Sequence, residues 1–220
     1  MKILCVADHV DPLVYSNTIK ERFKDIDLVL GAGDLNLEYY GFIVSSLNKP
    51  LGFVFGNHNL QHIHRFRKEY ANQYQIKDAY QHSFGSTYLG GRHWRIKGLL
   101  IAGLGGSKRY NKGENQFSEF GMFRWALRLL PGLLWNRLRY GRFLDILLTH
   151  APPKGIHDKQ DPCHQGFKYF LKFMNLFKPS YLIHGHIHLY DLNAIRETRY
   201  RDTIVLNAYD HIVIDTEEKR

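Results

Sequence analysis

Asp27-Leu28-Val29-Leu30-Gly31-Ala32-Gly33-Asp34 is the stretch on which the fold turns. An apolar run that does not alternate with polar residues reads as a strand buried on both faces, the kind found in helix-covered, mostly parallel sheets. We place the strand at 27–31, with the Gly33-Asp34 turn just beyond it. The same arrangement recurs outward in both directions. Residues 2–7 end at Asp8, 51–55 lead to Gly56-Asn57-His58, 143–148 lead to Thr149-His150, and 181–183 lead to His184-Gly185-His186. Helical patterns fill 17–24, 36–48, 60–72 and 164–177. Strands alternating with helices predict an α/β architecture. In such sheets reactive groups collect beyond the carboxyl ends of the strands, so the five strand ends are expected to converge on one edge. Residues 87–103 and 190–214 read as hairpins that add strands, some antiparallel, and leave room for a second sheet.

The chain has 220 residues, enough for one well-buried domain over 1–220. Apolar residues make up 44% and charged residues 23%, the balance of a globular protein. No run approaches the roughly 18 apolar residues of a membrane-spanning helix. The amino-terminal segment reads as a strand rather than a signal peptide. Cys5 and Cys163 make no disulfide framework, and the expectation is a cytoplasmic, reduced protein. Thirty Lys and Arg against 21 Asp and Glu give a net charge of +9. That excess suits anionic partners: a phosphate-ester substrate, nucleic acid or an acidic membrane surface. No base-reading motif supports the nucleic-acid option. Thirteen histidines raise the expectation of a metal site.

Hydrolysing a phosphate ester near neutral pH needs a hydroxide and a means of neutralising negative charge. Two divalent ions about 3.5–4 Å apart provide both. The residues after the predicted strands, Asp8, Asp34, Asn57, His150, His186 and His188, are oxygen and imidazole donors of the required kind. Gly33, Gly56 and Gly185 are expected to let the backbone turn sharply before each donor.

Gly33-Asp34, Gly56-Asn57-His58, Thr149-His150 and Gly185-His186-Ile187-His188, in that order, resemble the motifs of the calcineurin-like metallophosphoesterases. The resemblance runs from residue 8 to 188. It implies an αββα sandwich, two mixed sheets flanked by helices. It also implies one metal held by Asp8, Asp34 and His188, and a second held by Asp34, Asn57, His150 and His186, with Asp34 as the bridge. His58 would then lie beside the scissile ester and assist the leaving oxygen. The implied cofactors are two divalent ions, manganese first with iron or zinc as alternatives, and a bridging hydroxide as nucleophile.

Two departures qualify the resemblance. The family's first motif is usually Asp-x-His, whereas Asp8-His9-Val10 puts valine where the histidine belongs. His9 or Asp11 could replace it, or the first metal is left with fewer protein ligands and binds more weakly. Asn59 stands where an acid commonly follows Asn-His. The rival functions are a non-catalytic metal- or phosphate-binding protein that keeps the scaffold, and a nucleic-acid-binding module.

Residues 107–142 form a basic insert. Phe123, Leu127, Leu130, Leu134 and Leu138 recur at helical spacing among Arg124, Arg128, Arg137, Arg139 and Arg142. Pro131 should end one helix and open another. The apolar stripe is expected to pack on the domain with the arginines solvated. A lid over an anionic substrate comes next, and contact with an acidic membrane third. Outside the motifs, His157 and Asp158 lie in a stiff loop, and His184 reads as a supporting residue or a strand end.

Overall fold

The first strand, β1 (Lys2–Ala7), shows why the molecule needs four layers. Side chains alternate across a strand, yet both faces of this one are apolar. Ile3, Cys5 and Ala7 enter one core, Leu4 and Val6 another. Such a strand must be covered on both sides. The computed structural model describes residues 1–66, 84–191 and 193–216.

Among the described residues, β1 is joined by β2 (Leu28–Gly31), β3 (Leu51–Phe53), β4 (Ser86–Tyr88) and the carboxyl-terminal β13 (Asp210–Asp215). Their order is β13-β1-β2-β3-β4, parallel from β1 to β4, with β13 antiparallel to β1. The second sheet contains β5 (His93–Ile96), β6 (Leu99–Leu104), β9 (Ile146–Thr149), β10 (Tyr181–His184), β11 (Glu197–Tyr200) and β12 (Thr203–Asn207). Its order is β11-β12-β10-β9-β6-β5, with a parallel centre and antiparallel hairpins at both edges. The two regions read as hairpins therefore do contribute antiparallel strands. The second then continues into the other sheet through β13. A short ribbon of β7 (Ser107–Lys108) and β8 (Gln116–Phe117) stands apart.

Three apolar clusters separate the layers. Ile3, Leu30, Ile101, Ile146, Ile183 and Leu206 fill the space between the sheets. Helices α1 (Ile19–Arg22), α2 (Leu37–Leu47) and α3 (Ile63–Phe66) bury Ile19, Tyr40, Ile43 and Ile63 against the first sheet. Helices α4 (Glu119–Ala126), α5 (Leu130–Tyr140) and α6 (Lys168–Phe177) bury Met122, Leu133, Phe170 and Phe173 against the second. Helix, sheet, sheet, helix is the expected αββα sandwich. Asn36 starts α2 by accepting the Tyr39 N–H at 2.8 Å, and Asn48 ends it in a left-handed conformation, φ 51°. Of the helix predicted over 60–72, α3 covers 63–66; residues 67–72 lie outside the described residues. No helix among the described residues is long and apolar enough to cross a membrane.

The insert departs from expectation in one respect. Pro131 does fall in the first turn of α5, where its missing N–H costs nothing. The predicted stripe, however, does not pack inward. Phe123, Leu127, Leu134 and Leu138 are exposed, and only Leu130 of the five is partly covered. Met122, Trp125, Ala126, Leu129 and Leu133 make the inward contacts instead. Two apolar stripes run along this segment, and the periodicity that revealed one could not say which faced the core.

Candidate metal centre

Each candidate donor lies within a few residues of a strand's carboxyl end. Asp8, Asp34 and Asn57 follow β1, β2 and β3 of the first sheet; His150 and His186 follow β9 and β10 of the second. The donors thus gather where the ends of two sheets meet, rather than along the single edge expected. Asp8, Asp34 and His186 take left-handed backbone, φ 66°, 57° and 68°. L-residues adopt that conformation rarely, and each instance costs on the order of 1–3 kcal/mol held by the surrounding packing. Of the three turn glycines, Gly33 alone has positive φ, 101°. Gly56 serves differently: a Cβ there would lie 2.0 Å from Asp34 Oδ1. The glycine makes room rather than a bend.

Hydrogen bonds set the direction of each donor. His150 Nδ1 donates to the Ala32 carbonyl at 2.8 Å, which turns Nε2 toward Asp34 Oδ2 at 3.3 Å and Asn57 Oδ1 at 3.2 Å. His186 Nε2 donates to the Cys163 carbonyl at 2.7 Å, leaving Nδ1 as its acceptor nitrogen. Donor atoms of Asp34, His150 and His186 all lie within 4.8 Å of one another. Asp34 Oδ1 accepts the backbone N–H of His58 at 2.8 Å, and Asn59 Nδ2 donates to the Asp34 carbonyl at 2.7 Å. An acid at 59 could not make that second bond. The His58 side chain is exposed beside the cluster.

The other predicted donors are arranged differently. Both Asp8 oxygens accept the His186 N–H at 2.9 Å, so Asp8 braces the Gly185-His186 turn from the first sheet. His188 Nδ1 pairs with the Tyr190 hydroxyl at 2.8 Å, and its ring packs on Tyr209 with centroids 5.0 Å apart. Neither possible replacement for a histidine at 10 turns toward the cluster. His9 Nδ1 donates to Asp210 Oδ1 at 2.8 Å, and Asp11 pairs with His211. Val10 packs on the core beneath α1 and α2.

Several supporting groups carry no sequence signal. Tyr110 accepts from Asn57 Nδ2 at 3.3 Å, and Asn115 Nδ2 donates to the Gly56 carbonyl at 2.5 Å, so the insert's first segment holds the Asn57 turn. Behind the His186 turn a chain of polar groups runs from the half-buried Thr198 and His157 to the buried His184. Thr198 Oγ1 meets His157 Nε2 at 2.9 Å, His157 Nδ1 meets His184 Nε2 at 2.9 Å, and His184 Nδ1 donates to the Gly185 carbonyl at 2.9 Å. His184 is thus a supporting residue at the strand end, and His157, from the stiff loop, is its partner.

The electrostatics suit a cation. Burial opposes ionisation of Asp34, but the adjoining His150 and the His58 N–H hold its carboxyl well below the usual range. Burial likewise opposes charge on His150, yet Asp34 and Asp8 push its pKa up. Burial pushes the Asp8 carboxyl up to about 7, with Asp34 adding to the effect. Burial and the neighbouring His150 press His186 toward its neutral form, the form that binds metal. The Asp34 carboxylate, the Asn57 carboxamide oxygen and the two oriented imidazoles of His150 and His186 make a mixed O/N donor set of the kind divalent ions take.

The family model described as calcineurin-like phosphoesterase matches residues 1–190. The chain belongs to this family. Calcineurin-like phosphoesterases bind divalent metal ions and act on phosphate esters. No curated protein matches the chain. One solved crystal structure is similar with a TM-score of 0.69 and 14% identity, over 100% of this chain and 96% of that one. TT1561 of Thermus thermophilus is similar with a TM-score of 0.64 and 14% identity, over the same 100% and 96%. A protein described as a novel archaeal phosphodiesterase has a TM-score of 0.46 and 14% identity, again over 100% and 96%. The first two likenesses show a shared calcineurin-like fold.

Proposed function

We propose that the chain, acting as one domain over 1–220, is a metal-dependent hydrolase of a phosphomonoester or phosphodiester. The observation that carries this reading is the convergence of Asp34 Oδ2 and Asn57 Oδ1 on His150 Nε2, at 3.3 and 3.2 Å, with His186 beside them. In this reading Asp34, Asn57, His150 and His186 hold one ion. Asp8, Asp34 and His188 hold the second, and Asp34 is shared. Manganese is the proposed metal, with iron and zinc as alternatives. Divalent ions bound there would supply a hydroxide-like nucleophile near neutral pH and neutralise charge on the phosphoryl oxygens.

The protein's own groups do the rest. The His150 Nδ1 bond to Ala32 and the His186 Nε2 bond to Cys163 fix both tautomers before any ligand arrives. To His58, exposed beside the cluster with its backbone N–H on Asp34, we assign the role of giving a proton to the leaving oxygen. Because Val10, His9 and Asp11 all turn elsewhere, the Asp8–His188 half offers fewer ligands and holds its ion more weakly. Two free thiols, Cys5 and Cys163, suit the reducing cytoplasm as the compartment.

The test is hydrolysis of an aryl phosphodiester and an aryl phosphomonoester with added Mn²⁺, Fe²⁺ or Zn²⁺. Turnover should appear with at least one metal and fall at least about a hundredfold in His150→Ala, a loss on the scale expected when an electrostatic catalytic group is removed. Absence of turnover on both substrates with every metal would point instead to a scaffold that binds without catalysing.

A further inference from the structure

The run Glu119–Tyr140 is helical throughout, α4 passing through a 3₁₀ turn at Leu127–Leu129 into α5. Its inward stripe is accounted for by the core. Its outward stripe is not. Phe120 is 66% exposed, Leu134 60%, Trp135 61% and Leu138 82%, with Phe123 and Leu127 also exposed. Residues 120, 123, 127, 134 and 138 are separated by three, four, seven and four positions, the spacing of one helical face. Single exposed apolar residues are ordinary. Here six of the thirteen large apolar side chains exposed among the described residues fall between 120 and 138, and clustering of that kind marks a binding surface.

Charge says what covers it. From 119 to 142 the chain carries five arginines and one acid, Glu119. That acid is engaged, accepting the N–H groups of Lys168 and Tyr169 at 3.0 and 3.2 Å. Arg124, Arg128, Arg137 and Arg139 stay exposed beside the apolar stripe. At the amino-terminal end, Phe120 and Phe123 line a groove of about 490 Å³ with Lys168, Tyr169 and Lys172. Apolar floor and cationic rim together match an amphiphile with an anionic head. A two-fold contact with a second copy would set these arginines against themselves, and nucleic acid would leave the leucines unused.

We propose that the outward face of α4–α5 docks on an anionic lipid surface, with Leu134, Trp135 and Leu138 entering the interface and the arginines on the headgroups. A basic helix with a tryptophan on its apolar side lies in such interfaces by the same physics. The proposal goes beyond the hydrolytic reading and does not depend on it.

The experiment is sedimentation of the full chain with phosphatidylcholine vesicles, with and without phosphatidylglycerol. Binding is expected only to the anionic vesicles, with a blue shift of Trp135 fluorescence and release as salt rises from about 0.1 to about 0.5 M. The variant L134S/W135S/L138S should bind at least about tenfold more weakly with an unchanged melting temperature, because those side chains touch no core. R124Q/R139Q, which leaves the apolar stripe intact, should lose the preference for anionic over neutral vesicles. The proposal is overturned if the wild type ignores anionic vesicles, or if it binds neutral ones equally well. Full binding by the serine variant, or a concentration-dependent dimer that this variant abolishes without any vesicle binding, would overturn it too.

Discussion

Val10 is one of the two departures from the family's motifs, and its neighbours His9 and Asp11 are both engaged elsewhere. His9 is drawn to Asp210 and Asp11 to His211, partners about two hundred positions away in sequence. That distance is why the sequence left both open as replacements: a side chain's direction depends on what the fold brings beside it. The positions of Asp34, Asn57, His150 and His186 were legible, because each follows a strand with apolar residues on both faces, and such strands show as unbroken apolar runs. The reason for the glycines was legible only in part. A turn was expected at 33, 56 and 185, whereas at 56 the need is for space. Gly56→Ala should therefore push the Asp34 carboxylate out of place while leaving the cores intact. We expect metal affinity to drop by about 10–100-fold, the range seen when groups that orient ligands are lost. A melting temperature within a few degrees of wild type should accompany the drop. Unaltered metal affinity would show that the carboxylate has room to spare.

Between strands and helices, the joint of the insert with β5 is the most telling contact. His93 Nε2 donates to the Leu129 carbonyl at 2.7 Å, and a Cβ on Gly132 would come within 2.4 Å of the His93 ring. The imidazole thus sits where the 3₁₀ turn passes into α5, and burial presses its pKa below the usual 6.5. A histidine that resists protonation when folded binds fewer protons than the unfolded chain does in mild acid. Its contribution is complete above about pH 6.5 and is lost as pH falls below that value. Urea denaturation at pH 7.5 and 5.5 should show wild type losing stability on acidification. His93→Gln should lose less between the two pH values; an equal loss would remove His93 as a source of the acid sensitivity. This joint was invisible in the sequence. So was the direction of the insert, since Phe123, Leu127, Leu134 and Leu138 repeat as regularly as Met122, Trp125, Leu129 and Leu133. Periodicity identifies a face and is silent on what that face meets.

Taken together, the two sheets divide the work. The alternation of elements predicted an α/β fold, and the family resemblance implied the αββα order; the division of donors between sheets followed from neither, because strand pairing is set by contacts across the chain. The first sheet delivers carboxylates and Asn57; the second delivers His150 and His186. Asp8 links them by bracing the His186 turn. An ion held at the junction would tie both sheets and stabilise the folded state, by about 2.7 kcal/mol at a metal concentration a hundred times its Kd. The two halves should nevertheless hold metal unequally, one with four converging donors and the other short of a histidine. Calorimetric titration of Mn²⁺ into metal-stripped protein measures that inequality directly. We expect one tight site, lost in His150→Ala, and a second at least about tenfold weaker, equivalent to about 1.4 kcal/mol or more. Two sites of equal high affinity, or no binding at all, would contradict it.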